Sequence, residues 1–158
     1  MKCLTELGYD YIMPSPELTG VQLASIAEHS ALAGRMIIGI HGRTPLMQLL
    51  HCPIKEHKGC QNCMGIAGAV TDEAGRVFPL VNIRYPDNCL VRMLNCRTTD
   101  LIDLFDRIPQ TAGYVLNFVG EQIDEVTERI AAANEAMNGK RQTQYPNSTR
   151  GHWVRKVE

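Results

Sequence analysis

Apolar and polar positions alternate along this chain in blocks that predict a succession of strands and helices. Residues 9–15, YDYIMPS, form a short β-branched and aromatic run closed by Pro and Ser, the pattern of a strand. Thr19 and Gln22 have the spacing of a capping box, and Leu23, Ile26 and Ala27 supply the inner face of a helix reaching about residue 31. Residues 34–42, GRMIIGIHG, are a continuous apolar run between glycines, as expected of a strand buried on both faces.

From Arg43 to Cys96 no helical period is visible. Within that stretch VTDEAGRVFPLV places two apolar runs around Asp-Glu-Ala-Gly and predicts a hairpin. Thr98 or Thr99 then has the chemistry to cap a helix, with Asp100 and Asp103 in its first turn and Leu101, Leu104, Phe105 and Ile108 inside. GYVLNFVG, residues 113–120, predicts another buried strand. Val119, Ile123, Val126, Ile130 and Met137 mark one face of a helix over about residues 121–138.

The predicted order is β-α-β, an irregular β-rich stretch, then α-β-α, which indicates an α/β protein with a parallel sheet covered by helices. Three such strands neither close a barrel nor make a sheet without exposed edges. The expectation is therefore the C-terminal portion of a longer protein, with a second chain as the alternative source of strands. Asn95 and Phe78 read as turn or packing residues.

Length and composition change this picture only in what they exclude. A chain of 158 residues can bury about 70% of its unfolded surface, so it needs no cross-links to fold. Its net charge of -1 excludes a wholly basic nucleic-acid binder. No apolar run approaches the roughly 18 residues of a membrane span, and MKCLTELGYDY has no secretory apolar core. A cytoplasmic chain with six cysteines is then expected to keep them reduced.

The cysteines carry the chemistry. In HCPIKEHKGCQNC, residues 51–63, Cys52, Cys60 and Cys63 are separated by seven and two residues, and Cys89 follows after 25 more. A two-residue gap lets two thiolates face one ion from a tight turn, and a hairpin can return Cys89 as a fourth ligand. Four thiolates at about 2.3 Å suit tetrahedral zinc. They suit an iron–sulfur cluster equally well, and spacing leaves the two open. His51 and His57 read as exposed neighbours, and Cys3 and Cys96 as ordinary core thiols. The chain has neither HExxH nor GxSxG, so no familiar protease chemistry is marked.

Outside the cysteines, Glu17 lies between a strand and a helix, on the face where barrel enzymes place their chemistry. Arg43 follows a buried strand on that face and could hold an anion bidentately or pair with Glu17. Residues 139–158 carry Lys140, Arg141, Arg150, Arg155 and Lys156 against Glu158. This basic tail is either solvated and partly ordered, or folds Arg150, His152 and Trp153 back towards an anionic ligand or RNA backbone.

Together SPELT (15–19), HGRTPLM (41–47), CPIKEHKGCQNC (52–63), TDEAGRVFPL (71–80), NCLVRMLN (88–95) and TRGHWVRKVE (149–158) resemble the peptidase U-32 family over nearly the whole chain. The resemblance implies the C-terminal portion of a TIM-like (β/α) barrel, one partial barrel domain over residues 1–158 with a β-rich, metal-binding insertion at 43–97. The N-terminal barrel half would be a missing partner, or replaced by homo-oligomerisation. Named for collagenase-like proteases, the family also includes oxygen-independent hydroxylases of tRNA, ribosomal RNA or a ubiquinone precursor ring, several using prephenate as hydroxyl donor. It implies that Cys52, Cys60, Cys63 and Cys89 hold a 4Fe–4S cluster, with zinc as the alternative, and that the substrate is RNA or a small molecule. Catalytic residues stay open, with Glu17, Arg43 and His152 as candidates. Three positions depart from the family pattern: Asp72-Glu73 for Asp-Arg, Cys96 for Ser, and Lys156 for Gly.

Overall fold

The computed structural model describes residues 2–60, 65–84 and 89–154. Short helix α1 (Lys2–Glu6) precedes a capping-box helix, α2 (Gly20–Ala27), and a one-turn helix, α3 (Ser30–Ala33). In α2 the Thr19 hydroxyl accepts from the Gln22 N–H while the Gln22 side chain accepts from the Thr19 N–H, satisfying two donors that no helix can satisfy itself. Its buried residue is Leu23, as the periodicity predicts, but the helix stops at Ala27 and the chain turns before α3.

The first sheet consists of β1 (Ile37–Gly42), β6 (Thr99–Asp100) and β7 (Gly113–Leu116) in the order β6-β1-β7. β1 runs parallel to β7 and antiparallel to β6, with an irregularity between Gly39 and His41. The predicted strand at 9–15 contracts to one parallel bridge, Ile12 to Met36. Parallel segments joined through helices are therefore present, and the architecture is mixed α/β with two sheets. The core behind β1 combines Met36, Ile38 and Ile40 with Leu101, Ile102 and Ile108. Met36 and Ile40 are fully buried; truncating either to Ala would cost about 2–5 kcal/mol.

Helix α5 (Ile123–Met137) covers this core with an unexpected face. Its buried residues are Arg129, Ala132, Ala133 and Ala136, whereas Ile123, Ile130 and Met137 are exposed. Small alanine side chains let α5 join the core with Ile102 and Ile108, and the larger apolar residues are left outside.

The second sheet contains β2 (Pro45–Leu49), β3 (Gly65–Thr71), β4 (Val77–Arg84) and β5 (Cys89–Leu94), antiparallel in the order β2-β5-β4-β3. The hairpin predicted around Asp-Glu-Ala-Gly joins β3 to β4. Asp72 organises its turn by accepting from the N–H groups of Ala74 and Arg76. A helix absent from the sequence reading, α4 (Pro53–Lys58), interrupts the β-rich region. Pro53 favours its first turn by its fixed φ, and six residues are too few to show a period.

The helix predicted to begin at Thr98 or Thr99 differs. Thr99 and Asp100 form β6, and a 3₁₀ helix follows at Ile102–Arg107. Asp100 is not in a solvated first turn; it is fully buried. The apolar assignments hold, with Leu101 and Ile108 buried and Leu104 and Phe105 packed on the core. Residues 149–154 are held against the body, contrary to a solvated tail. Thr149 bridges to Thr98 and Asp100, and Gly20 N–H donates to the Trp153 carbonyl at 3.0 Å. A Cβ at Gly20 would lie 2.6 Å from the Trp153 ring, so only glycine allows this seat. Among the described residues no helix is long and apolar enough to cross a membrane.

Candidate functional site

The register of the second sheet decides where its cysteines go. Leu49 pairs with Val91, Arg84 with Cys89, and Gly65 with Asn82, so β2 leaves, β3 enters, β4 leaves and β5 enters at one end. The β2–β3 connection carries Cys52 and Cys60, and Cys89 opens β5. Cys63 falls in that same connection by sequence and lies outside the described residues. Cys52 precedes α4 and is half-buried, Cys60 follows it and is exposed, and Cys89 is half-buried.

Soft sulfur donors at one sheet end suit a thiolate-bound centre by their donor chemistry. The described residues do not by themselves close one: among them, no three His, Cys, Asp or Glu side chains form a metal-holding group. His51 and His57 are exposed, as expected. The expectation of core thiols fails for the other two, because Cys3 is exposed and Cys96 only half-buried. Cys3 sits on a terminal helix too short to bury a face, and Cys96 follows the last residue of β5 into a turn.

A cavity of about 520 Å³ opens at the other end of the β2–β5 pair, where Pro45, Leu46 and Asn95 line it. From Pro45 to Leu49 the strand advances about 14 Å, which separates the cavity from the cysteine end. Segments far apart in sequence build its wall, among them Ser15 and Leu18, Gly39 to Leu46, and Arg150 to Trp153. Arg43 and His152 therefore come together on one cavity. Glu17 does not line it; its side chain is exposed, and its N–H donates to the Ser15 hydroxyl.

Nor does Arg43 pair with Glu17. Its Nη1 donates to the carbonyls of Asn95 at 2.9 Å and Cys96 at 2.7 Å, and among the described residues it has no carboxylate partner. Gly42 makes this arm possible: its φ is +140°, and a Cβ there would lie 2.7 Å from the Asn117 carbonyl oxygen. Arg150, by contrast, is matched bidentately by Asp103 and also donates to the Asp100 carbonyl. Its charge is spent on holding the C-terminal strap.

Behind β1 lies a polar cluster that the sequence reading missed. His41 Nδ1 donates to Asp100 Oδ2 at 2.7 Å, and Arg129 Nη1 stands 3.9 Å from that oxygen. An ionised carboxylate only accepts, so in this contact the imidazole is the donor. Both His41 Nε2 and Arg129 Nε are buried without a partner. Phe118 and Tyr145 flank the imidazole, and Arg129 lies 4.4 Å above the Tyr145 ring. Burial raises the Tyr145 hydroxyl's pKa, followed by the Glu125 charge, with Arg129 opposing. The available sequence signal was a histidine inside an otherwise apolar strand; its partner 59 residues away had none.

Comparisons with protein-family models, curated proteins and solved structures found no match to this chain.

Proposed function

We propose that this chain is the cluster-bearing part of an iron–sulfur enzyme of the U-32 type, acting in hydroxylation of an RNA base or a related ring. The observation that carries the reading is the strand register that brings the Cys52–Cys63 connection and Cys89 to one end of the second sheet. Cys52, Cys60, Cys63 and Cys89 would be the ligands, and a 4Fe–4S cluster bound there would supply one-electron chemistry that side chains lack. The chain's own contribution is the frame: α4 spaces Cys52 from Cys60, and Cys89 opens β5 at the sheet end where their connection leaves β2.

Ile12, β1 and β7 are read in this proposal as consecutive strands of a (β/α) barrel, completed by strands from elsewhere. Parallel pairing and helical connections between Ile12 and β1 support that reading. The same four thiolates would instead close a structural zinc site, which leaves no open position for hydrolysis.

Anaerobic purification followed by iron, sulfide and zinc analysis tests the proposal. About four irons per chain, broad visible absorbance, and loss of both in Cys52→Ser or Cys89→Ser are expected. A colourless protein with one zinc would overturn the cluster and make the four cysteines a clamp on the insert.

A further inference from the structure

Helix α5 carries its largest apolar side chains on a face that its own core does not cover. Ile123, Ile130 and Met137 are 78%, 46% and 56% exposed, and they recur every seven residues. Half-buried Val126 and buried Ala133 fall between them, so the stripe runs into the core without a break. Single exposed apolar residues are ordinary, but this spacing along one helix is the seam of a helix pair. A cavity of about 610 Å³ adjoins the seam between α5 and the 3₁₀ helix, with Ile130, Met137, Phe105 and Tyr114 in its wall. Phe105 and Tyr114 pack edge to face with ring centroids 4.7 Å apart, which fixes that wall. An apolar groove beside a seven-residue stripe takes an amphipathic helix.

Charge selects which helix. Glu121, Asp124 and Glu125 make the N-terminal end of α5 acidic, and Lys140 and Arg141 follow its C-terminal end. Lys140 already pairs with Glu135, but exposed Asp124 and Arg141 have no partner of opposite charge among the described residues. A second copy running antiparallel along the stripe sets each acidic end against the other's basic end and opposes the two helix dipoles. A parallel copy would set acid on acid. The stripe is its own complement in the antiparallel arrangement, because a two-fold axis at Ile130 places Ile123 opposite the partner's Met137.

We propose that α5 and the groove beside it form a two-fold, antiparallel interface between two copies of this chain. With 15 residues α5 is about 22 Å long, so the contact is small among specific interfaces and the dimer is reversible. The pairing is helix on helix. It supplies no strand to either sheet and uses none of the four candidate cluster cysteines, so metal content and dimerisation fail or succeed separately.

The test is analytical ultracentrifugation of the full chain from about 1 µM to about 500 µM. A concentration-dependent shift from one chain mass to two is expected, with a Kd of roughly 1–100 µM. Ile130→Glu sets two carboxylates face to face at the axis and should weaken dimerisation by roughly tenfold or more. Ile123→Glu, at the most exposed position of the stripe, should weaken it by roughly threefold even where Ile130→Glu disturbs folding. Arg141→Glu should also weaken it by roughly threefold, and adding Asp124→Lys to that chain should recover part of the loss. A single chain mass throughout overturns the proposal and leaves the stripe to a helix of another protein. Wild-type affinity in both isoleucine variants overturns it too, as does tighter association in Arg141→Glu or growth beyond two chains.

Discussion

The two sheets of this molecule are stabilised by different means. In the three-stranded sheet, β1 is enclosed by α5, the 3₁₀ helix and α2, and Met36 and Ile40 have no solvent exposure. In the four-stranded sheet, Leu46, Met47, Ile66, Val70 and Val77 are each exposed, and among the described residues its buried apolar side chains are Leu80, Val91 and Leu94. The first sheet is therefore held by side-chain packing, the second mainly by its hydrogen-bond ladder. Ladder bonds contribute about 1 kcal/mol each net, whereas a buried large aliphatic side chain contributes about 1.5–3 kcal/mol. A ladder with little core gains most from an added cross-link, and the cysteine end is where a metal centre would supply one.

Breaking the first sheet should have the largest effect. Asp100→Ala leaves His41 buried without its hydrogen-bond partner and Arg129 without the buried carboxylate near it, and unfolding free energy should fall by about 3–5 kcal/mol in urea titrations. A loss under about 1 kcal/mol would show that the cluster is not a support of β1.

Gly20→Val should follow, at about 1–3 kcal/mol, because a side chain there collides with the Trp153 ring. Its signature is loosening of the strap: Trp153 emission should shift to the red while amide protection in β1 persists. Unchanged emission would place the strap elsewhere.

Chelation sharpens the contrast between the sheets. If the cysteines hold a metal, its removal should reduce hydrogen-exchange protection in β3, β4 and β5 and leave β1 and β7 protected. Uniform loss over both sheets would refute the division into a packed half and a clamped half.

The smallest effect belongs to Asp72 at the β3–β4 turn. Its carboxyl is held below the ordinary value, first by the Arg76 N–H and then by the Arg76 side chain, against some desolvation. A depressed folded pKa adds stability above the unfolded pKa, and this is lost as pH falls through the folded value. The group is solvent-screened, so Asp72→Asn should lower stability only slightly at pH above the unfolded carboxyl pKa and leave stability in strong acid unchanged. NMR titration of the Asp72 carboxyl checks this; an ordinary midpoint would remove the effect.

How much was legible in the sequence follows from how local each interaction is. The α2 capping box lies within four residues and was read correctly at Thr19 and Gln22. The hairpin around Asp72 was legible for the same reason. Helix α5 was placed to within two residues, yet its apolar stripe faces outward. Periodicity marks a face and does not say which neighbour wants it; packing into the core beside the 3₁₀ helix selected Ala132, Ala133 and Ala136. At the candidate sites, residue type suggested Arg43 and His152, but the cavity that joins them depends on segments over a hundred residues apart.

Asp100 shows the same limit most clearly. As a residue after two threonines it had the chemistry of a helix start, where water would serve its charge. Burial beside His41 and Arg129 offered a stronger set of partners, none nearer than 29 residues along the chain. By itself the sequence determined the mixed α/β character and the local caps and turns. Those depend on short-range sterics and residue chemistry. The tertiary structure alone decided which carboxylate neutralises which cation and which helix face is buried. It also decided which connections share a sheet end, because register and packing are settled between segments that no local pattern relates.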